Sequence, residues 1–217
     1  ALAITLVCFL GSIAWTVFMS FTKSRRFPEY VIDPEGWAAQ YVRLFNNDAW
    51  TTSLTNLLIL ALGSALAIVL GFILAAMVER ERFGEGVFRT IFLYPFAVSL
   101  IVTGLAWRWM LNPALGIEGF LKSHGFPDAS FNILASPDTA MYGVILASIW
   151  HGMGFYMALM LAGLKSINPE IWSAARLDGI RLWRLYTEII IPMMKFTFLT
   201  CAILLSLGVV KAYDIVV

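Results

Sequence analysis

NPEIWSAARLDGIRLWRLYTEIIIPMMK, residues Asn168–Lys195, is a polar, helix-forming segment between two apolar runs of membrane-spanning length. Asn168 is a favourable helix N-cap, and Pro169 suits the first helical position because its missing N–H costs nothing there. Gly179 favours the left-handed conformation that closes a helix, so the sequence predicts a helix over 169–178. A helix of about ten residues is marginal on its own in water. It must therefore lie on a membrane or dock onto a partner.

The composition indicates a membrane protein, since 60% of the 217 residues are hydrophobic and 13% are charged. A hydrocarbon core of about 30 Å requires around 20 consecutive apolar residues. Five segments satisfy this requirement: Ala1–Phe21, Leu54–Val78, Ile91–Met110, Met141–Ala162 and Phe196–Val217. We therefore expect an all-α fold, a polytopic bundle of transmembrane helices that forms one domain over residues 1–217. Both ends of the sequence lie inside apolar runs, which predicts that residues are missing at each end.

The distribution of Lys and Arg predicts the orientation of the chain. Loops on the side of the polar segment carry eight of these residues and the opposite loops carry five, which favours a cytoplasmic loop at 165–195. Thr22–Ser53 and Leu111–Ala140 would then face outward. One short helix is predicted in these outer loops, at Ile117–His124.

Sequence motifs for catalysis are missing. No Gly precedes a Lys-Ser pair as in a nucleotide-binding P-loop, and HExxH, GxSxG and CxxC do not occur. His124 and His151 are too far apart in sequence to suggest a local metal site. We expect no catalytic residue, metal or cofactor in this chain, so any energy for transport must come from another subunit.

The segment PEIWSAARLDGIRLWRLYTEIIIP resembles the cytoplasmic EAA loop of ABC-importer membrane subunits, a pattern of EAA, then DG, then a hydrophobic residue and Pro. Ala174–Ala175, Asp178–Gly179 and Ile191–Pro192 match, while Ser173 stands where the family usually has Glu. Three further segments resemble successive parts of the carbohydrate branch of this family, which serves maltose, other oligosaccharides, glucosides and glycerol phosphate. They are SLTNLLILALGSALAIVLGFILAAM, FRTIFLYPFAVSLIVTGLAWRWMLNP and SIWHGMGFYMALMLAGLKSINPE. The resemblance covers nearly all of residues 51–217. It implies a type I ABC-importer permease, multi-pass in the cytoplasmic membrane of a bacterium or archaeon.

The resemblance also implies a set of partners. The short helix would be a coupling helix seated on a cytoplasmic ATPase, whose two subunits bind ATP and magnesium. A second, different permease subunit, an external solute-binding protein and membrane lipid complete the set, and no nucleic acid is involved. The residues implied in coupling are Glu170, Ser173, Ala174, Ala175, Asp178 and Gly179. From pattern alone, an amphipathic helix lying on the bilayer is an equal alternative.

Polar residues inside the spans predict a substrate path. His151 lies ten residues into the fourth span, about 15 Å deep and near the midplane, and ionisable residues there usually face a cavity or a partner. Sugar sites commonly combine aromatic faces with hydrogen-bonding groups. The predicted path residues are Ser148, Trp150, His151, Gly152 and Phe155, with Lys211 and Tyr213 in the last span. The alternatives are that His151 bonds a neighbouring helix, and that Lys211 pairs with Asp214 in a structural ion pair.

Two other functions remain open at this point. One is an ion-coupled secondary carrier, although Asp214 is the only acidic residue within a predicted span and inverted repeats are not apparent. The other is a non-transporting membrane scaffold or receptor whose polar segment binds a partner.

Overall fold

A computed structural model describes residues 2–22, 39–80, 84–128, 130, 133 and 136–211. The predicted all-α fold is confirmed within these residues. The helices are α1 Leu2–Ser20, α2 Ala39–Phe45, α3 Asp48–Arg80, α4 Glu85–Ala97, α5 Leu100–Met110, α6 Ile117–Ser123, α7 Pro137–Lys165, α8 Pro169–Leu177, α9 Leu182–Arg184, a π-helix Leu185–Ile190, α10 Ile191–Met193 and α11 Lys195–Val210. The predicted outer helix is thus α6. The chain divides into two compact units, Ala1–Thr55 and Asn56–Val217.

The first unit contains α1, α2 and the start of α3. The Ser20 hydroxyl lies 2.7 Å from the Tyr41 hydroxyl, and the ring centroids of Phe21 and Tyr41 are 5.6 Å apart. The Asn47 side chain accepts a hydrogen bond from the Ala49 N–H at 2.9 Å. This contact occupies a backbone donor that the first turn of α3 leaves unpaired.

In the second unit, the core is built around α7, whose Met157, Met160 and Leu164 side chains are almost completely buried. Glycine allows neighbouring helices to approach it at backbone distance, as is common between membrane helices. A Cβ added at Gly154 would lie 1.7 Å from the carbonyl oxygen of Phe92 in α4. The 29-residue α7 therefore positions the other helices of this unit.

The predicted span Ile91–Met110 is not one continuous helix. The structure has α4 and α5 instead, which meet at an angle of 94°. Pro95 lies near the end of α4 and has no N–H to donate to the preceding turn. Val98 is extended, and Ser99 begins α5 by accepting the Thr103 N–H at 2.9 Å. The break thus follows the proline by three residues.

A second bend precedes α11. The segment from α9 through the π-helix to α10 is continuous, and it meets α11 at 72°. Pro192 supplies no N–H to the turn before it, which accounts for the π-helical hydrogen bonding that ends at Ile190. The Met194 N–H closes the segment on the Ile190 carbonyl at 3.0 Å. The predicted last span therefore starts close to its expected position, and its final residues 212–217 lie outside the described part.

Two helices in the described residues are long and apolar enough to cross a membrane unbroken: Asp48–Arg80 and Thr139–Lys165. They confirm the predicted second and fourth spans. Each of the two bent pairs adds one span if it crosses as a unit. The predicted first span is apolar, but its stretch Thr5–Ser20 falls short of the length of the others. In the described residues, the five predicted spans thus correspond to two unbroken helices, two bent pairs and one shorter helix.

Candidate functional site

A cavity of about 320 Å³ opens between five helices of the second unit, and α7 contributes three of its five polar side chains. Its wall is mainly apolar, with a few hydroxyl, imidazole and ammonium groups. This composition is typical of small-molecule sites, in which apolar surface supplies contact area and polar groups fix orientation. The lining residues are Leu60, Ser64 and Ala67 of α3; Phe96 and Leu100; Ser148, His151, Gly152, Phe155 and Tyr156 of α7; and Leu204, Leu205, Gly208, Val209 and Lys211.

Three rings form one side of the cavity. Phe96 stacks on Phe155 with ring centroids 4.6 Å apart and planes at 16°. The imidazole of His151 lies 5.6 Å from the Phe96 ring. The rings present apolar faces beside the polar edge of the imidazole, an arrangement suited to a ligand with both CH surfaces and oxygen atoms.

His151 is fixed from behind by α5. Its Nδ1 lies 3.4 Å from the hydroxyl of Thr103, a residue with 0% of its surface exposed. The sequence alternative in which His151 bonds a neighbouring helix is therefore confirmed, and it coexists with a place on the cavity wall. The same side chain contacts the protein interior and faces the cavity.

The structure brings together most, but not all, of the predicted path residues. Ser148, His151, Gly152, Phe155 and Lys211 all line the cavity. Trp150 does not line it, and its ring instead meets Trp107 edge-on at 6.1 Å. The helical repeat explains this result, since residues 148, 151, 152 and 155 share one helix face and residue 150 points elsewhere. Tyr213 and Asp214 lie outside the described residues, and so does the predicted Lys211–Asp214 pair.

Sequence reasoning missed ten of the fifteen lining residues, and three of these ten have polar or aromatic side chains. Tyr156 follows Gly152 by four residues, so extending the helical face by one turn finds it. Phe96 comes from the bent α4, and Ser64 from the middle of α3, where its side chain is buried. Neither carries a local signal, because only the packing of α3 and α4 on α7 brings them to the cavity.

The segment that contains the predicted coupling helix is capped at both ends, as expected. Asn168 accepts the Glu170 N–H at 3.0 Å, and Pro169 occupies the first helical position. Gly179 has a φ of +66°. Its N–H reaches the Arg176 carbonyl while the Ile180 N–H reaches the Ala175 carbonyl, at 3.2 and 3.1 Å. These two bonds form a Schellman motif, which satisfies the carbonyls at the helix end.

The two faces of α8 differ sharply. Ile171, Trp172 and Ala175 pack towards the core, and Ala175 is only 4% exposed. The opposite face is open to solvent and carries Glu170, Ser173, Ala174 and Leu177. Asp178 and Gly179 at its end are exposed as well. Of the six predicted coupling residues, five are therefore available to a partner, whereas Ala175 contacts the chain itself.

A cleft of about 270 Å³ lies behind α8, between this helix, the end of α3 and the π-helix. The Tyr186 ring meets Trp172 and Phe72 edge-on, at 5.9 and 6.1 Å. In the described part of the chain, the buried Tyr186 hydroxyl has no hydrogen-bond partner. Glu79 and other side chains complete the cleft, which separates α8 from α3.

An ion pair joins the start of α4 to the end of α7. The Lys165 ammonium donates to the Glu85 carboxylate, and both side chains are partly exposed. Three residues after Lys165, Asn168 begins the cap of α8. The ends of α4 and α7 are thus held together immediately before the predicted coupling helix.

Metal ligands do not cluster in the described ranges, where no three His, Cys, Asp or Glu side chains approach closely enough to hold an ion. The absence of a metal or cofactor stays a prediction. The polar groups of the cavity can donate and accept hydrogen bonds.

Comparison with known proteins assigns the family. Residues 67–217 match the family model described as "Binding-protein-dependent transport system inner membrane component". A probable ABC transporter permease protein of Pyrococcus horikoshii is 33% identical, over 94% of this chain and 70% of that protein. A xylose/arabinose import permease protein of Haloferax volcanii is 35% identical over 80% of this chain, and a trehalose/maltose transport system permease protein of Thermococcus litoralis is 26% identical over 81%.

The chain spans 55% and 60% of the last two relatives, so it corresponds to little more than half of their length. Among solved structures, a bacterial ABC transporter involved in the import of the acidic polysaccharide alginate superimposes with a TM-score of 0.77. The two chains are 23% identical, and the match covers 96% of this chain and 70% of the transporter chain. That likeness supports the helical fold. The family match and the Pyrococcus relative together show that this chain belongs to the inner-membrane permease components of binding-protein-dependent ABC transporters.

Proposed function

We propose that this chain is a permease subunit that moves a sugar or sugar-like solute across the cytoplasmic membrane through the cavity beside α7. The observation that carries the proposal is the combination in one wall of stacked aromatic rings with hydroxyl and imidazole groups. Sugars present CH faces and many hydroxyl groups, so they fit such a wall. Several relatives are named for sugars, including xylose, arabinose, trehalose and maltose.

The proposed source of energy is a separate ATPase that docks on the exposed face of α8. The exposed Leu177 at the end of α8 offers it an apolar contact. In the proposed assembly, two such ATPase subunits hold ATP and magnesium, and a second, different permease completes the membrane part. An external solute-binding protein delivers the solute; a related alginate transporter has been solved with an alginate pentasaccharide-bound periplasmic protein.

Uptake by the complete complex in lipid vesicles tests the cavity. Gly152→Leu should abolish most uptake, because the new side chain enters the cavity next to Tyr156 and Ala67. His151→Ala should weaken uptake while the complex still assembles. Gly11→Leu is the matched control, since nothing lies within 4 Å of a Cβ at that helical glycine. Uptake is normalised to assembled complex, and unchanged uptake in both cavity variants would contradict the proposal.

The energy source separates this function from the two alternatives. The purified chain alone should neither bind nor hydrolyse ATP, and the complex should do both. Uptake that requires ATP and survives an ionophore supports the importer. Uptake abolished by the ionophore identifies an ion-coupled carrier, and no uptake by a fully assembled complex identifies a scaffold or receptor.

A further inference from the structure

Three hydroxyl groups on the cavity wall are free of the bonds that hydroxyls commonly make inside helices. Thr90 and Thr200, for example, each donate to the carbonyl four residues earlier in their own helix, at 2.9 Å. Ser64, Ser148 and Tyr156 line the cavity, and none of their hydroxyls has a hydrogen-bond partner in the described part of the chain. Buried polar groups usually have such a partner. These three hydroxyls are therefore available to a molecule in the cavity.

The charge of the wall is one-sided. Asp, Glu and Arg do not occur among the described residues that line the cavity, whereas Lys211 does. No described carboxylate forms an ion pair with the Lys211 ammonium. An ammonium group beside apolar side chains is stabilised by a nearby anion, since Coulomb attraction is stronger where water is scarce. The wall therefore favours a negative charge inside the cavity.

The space next to Lys211 is open. Gly208 lies three residues earlier, on the same face of α11, and also lines the cavity. A Cβ added at Gly208 would have nothing within 4 Å. A charged group of a solute can therefore lie beside the lysine without displacing a side chain.

We propose that the cavity selects an anionic solute, a sugar acid or a sugar phosphate, and that Lys211 determines this preference for charge. The inference rests on the proposed function of the cavity and restricts its solute from sugars in general to their acids and phosphate esters. Lys211 supplies the opposite charge, and the hydroxyls of Ser64, Ser148 and Tyr156 supply further donors. Carboxylate and phosphate groups present several acceptor oxygens, and hydrogen bonds to an ionised group are roughly twice as strong as neutral ones.

Charge-selective labelling of a cysteine on the wall tests the preference without a known solute. Gly208→Cys places a thiol beside Lys211 in the assembled complex in lipid. The exposed Cys8 is replaced by Cys8→Ser, and Cys201 stays because it is 0% exposed. Labelling of this chain by anionic sulfonatoethyl methanethiosulfonate and by the cationic trimethylammonioethyl reagent is followed by mass spectrometry, and each rate is divided by its rate with a small thiol in solution.

The anionic reagent should react at least about tenfold faster than the cationic one, because the lysine attracts one and repels the other. Lys211→Met should bring the ratio of the two rates close to one, and Lys211→Arg should keep it high. Neutral methyl methanethiosulfonate is the control for access and should react alike with all three proteins. A ratio close to one with Lys211 in place overturns the proposal, and this measurement does not depend on how well Lys211→Met assembles.

Asp214→Asn separates the proposal from the structural ion pair that the sequence allows. If Asp214 neutralised Lys211, the ratio would be close to one with both residues present and would rise in Asp214→Asn. That result overturns the proposal. A high ratio with both residues present, changed less than about twofold by Asp214→Asn, supports it.

Uptake of two matched pairs of solutes by the complete complex with its binding protein tests the consequence for transport. The pairs are glucuronate with glucose, and sn-glycerol 3-phosphate with glycerol. The anionic member should be transported, Lys211→Met should raise its half-saturating concentration about tenfold, the value of one charged hydrogen bond, and Lys211→Arg should restore it. Uptake of a neutral member without its anionic counterpart overturns the charge preference and leaves the cavity as the path. Unchanged uptake in Gly152→Leu overturns the proposed function of the cavity itself.

Discussion

The cavity wall and α8 are each stabilised in a different way. The cavity wall is assembled from distant parts of the sequence, and Ser64, Phe96 and His151 meet only through helix packing. The nine-residue α8 is defined almost entirely within its own segment, by the Asn168 cap and the Gly179 turn. A change at the packing surface should therefore disturb the cavity from a distance. A change in the caps of α8 should leave the cavity intact and affect only what α8 contacts.

The largest effect is expected at Gly154, where the cavity region depends on a backbone contact. Gly154→Leu would drive its Cβ into the Phe92 carbonyl and separate α4 from α7, at a cost of about 3 kcal/mol or more. The melting temperature and the yield of assembled complex should both fall strongly. Gly86→Leu, with open space at its Cβ, should change neither. Normal assembly of Gly154→Leu would mean that α4 and α7 are not packed this closely.

Gly179→Val tests the local construction of α8. A β-branched residue in the left-handed conformation costs roughly 1–2 kcal/mol, so the turn after α8 should distort. Uptake should fall about tenfold, while solute binding by the assembled complex is retained. Gly179→Asn is the control, because Asn tolerates this conformation. Loss of solute binding in Gly179→Val would show that the two regions are not independent.

Leu177→Glu tests the exposed face of α8 without touching its fold. Leu177 is 88% exposed, so a charge there should not alter the melting temperature of the chain. Association with the proposed ATPase should weaken by about 1–2 kcal/mol, the usual range for an apolar contact residue. Leu115→Glu is a matched control, at 90% exposure in the loop before α6. Pull-down of the ATPase by both variants at wild-type levels would place the docking surface elsewhere.

The smallest effect is expected in the cleft behind α8. Tyr186→Phe removes a buried hydroxyl that has no described partner and should stabilise the chain by up to about 1 kcal/mol. Thermal unfolding of the complex measures this as a small rise in melting temperature. Tyr142→Phe, at an exposed site, should be neutral. A clear loss of stability in Tyr186→Phe would mean that the hydroxyl has a partner in the assembled protein.

The same contrast explains what could be predicted from the sequence. The ends of α8 were predicted correctly because caps are local: Asn168, Pro169 and Gly179 specify them within twelve residues. The burial of Ala175 was not predicted, since it depends on which face of α8 meets the core. Apart from Lys211, the lining residues that were predicted from the sequence all share one face of α7. Trp150 was included because it is adjacent in sequence, although the helical repeat turns it away.

The bend between α4 and α5 was predictable in part. Pro95 inside an apolar run indicates a kink or a break, whereas the length of the run favoured a continuous span. The angle of 94° has no signature in the sequence. It is determined by the packing of both arms on α7, including the Gly154 contact and the Thr103–His151 bond.

The unbroken course of α7 has a mechanical consequence. His151 and Lys165 lie on the same rigid rod, separated by 14 residues or about 21 Å. A tilt of about 10° around the level of the cavity would therefore displace the Lys165 end by roughly 4 Å, on this helical geometry. The Glu85 carboxylate would transmit that displacement to α4, and the short connection to Asn168 would transmit it to α8. Such a rotation moves the helix at His151 by less than a bond length. The length of α7 amplifies it to a displacement of about one side-chain width at the surface where we propose that the ATPase docks.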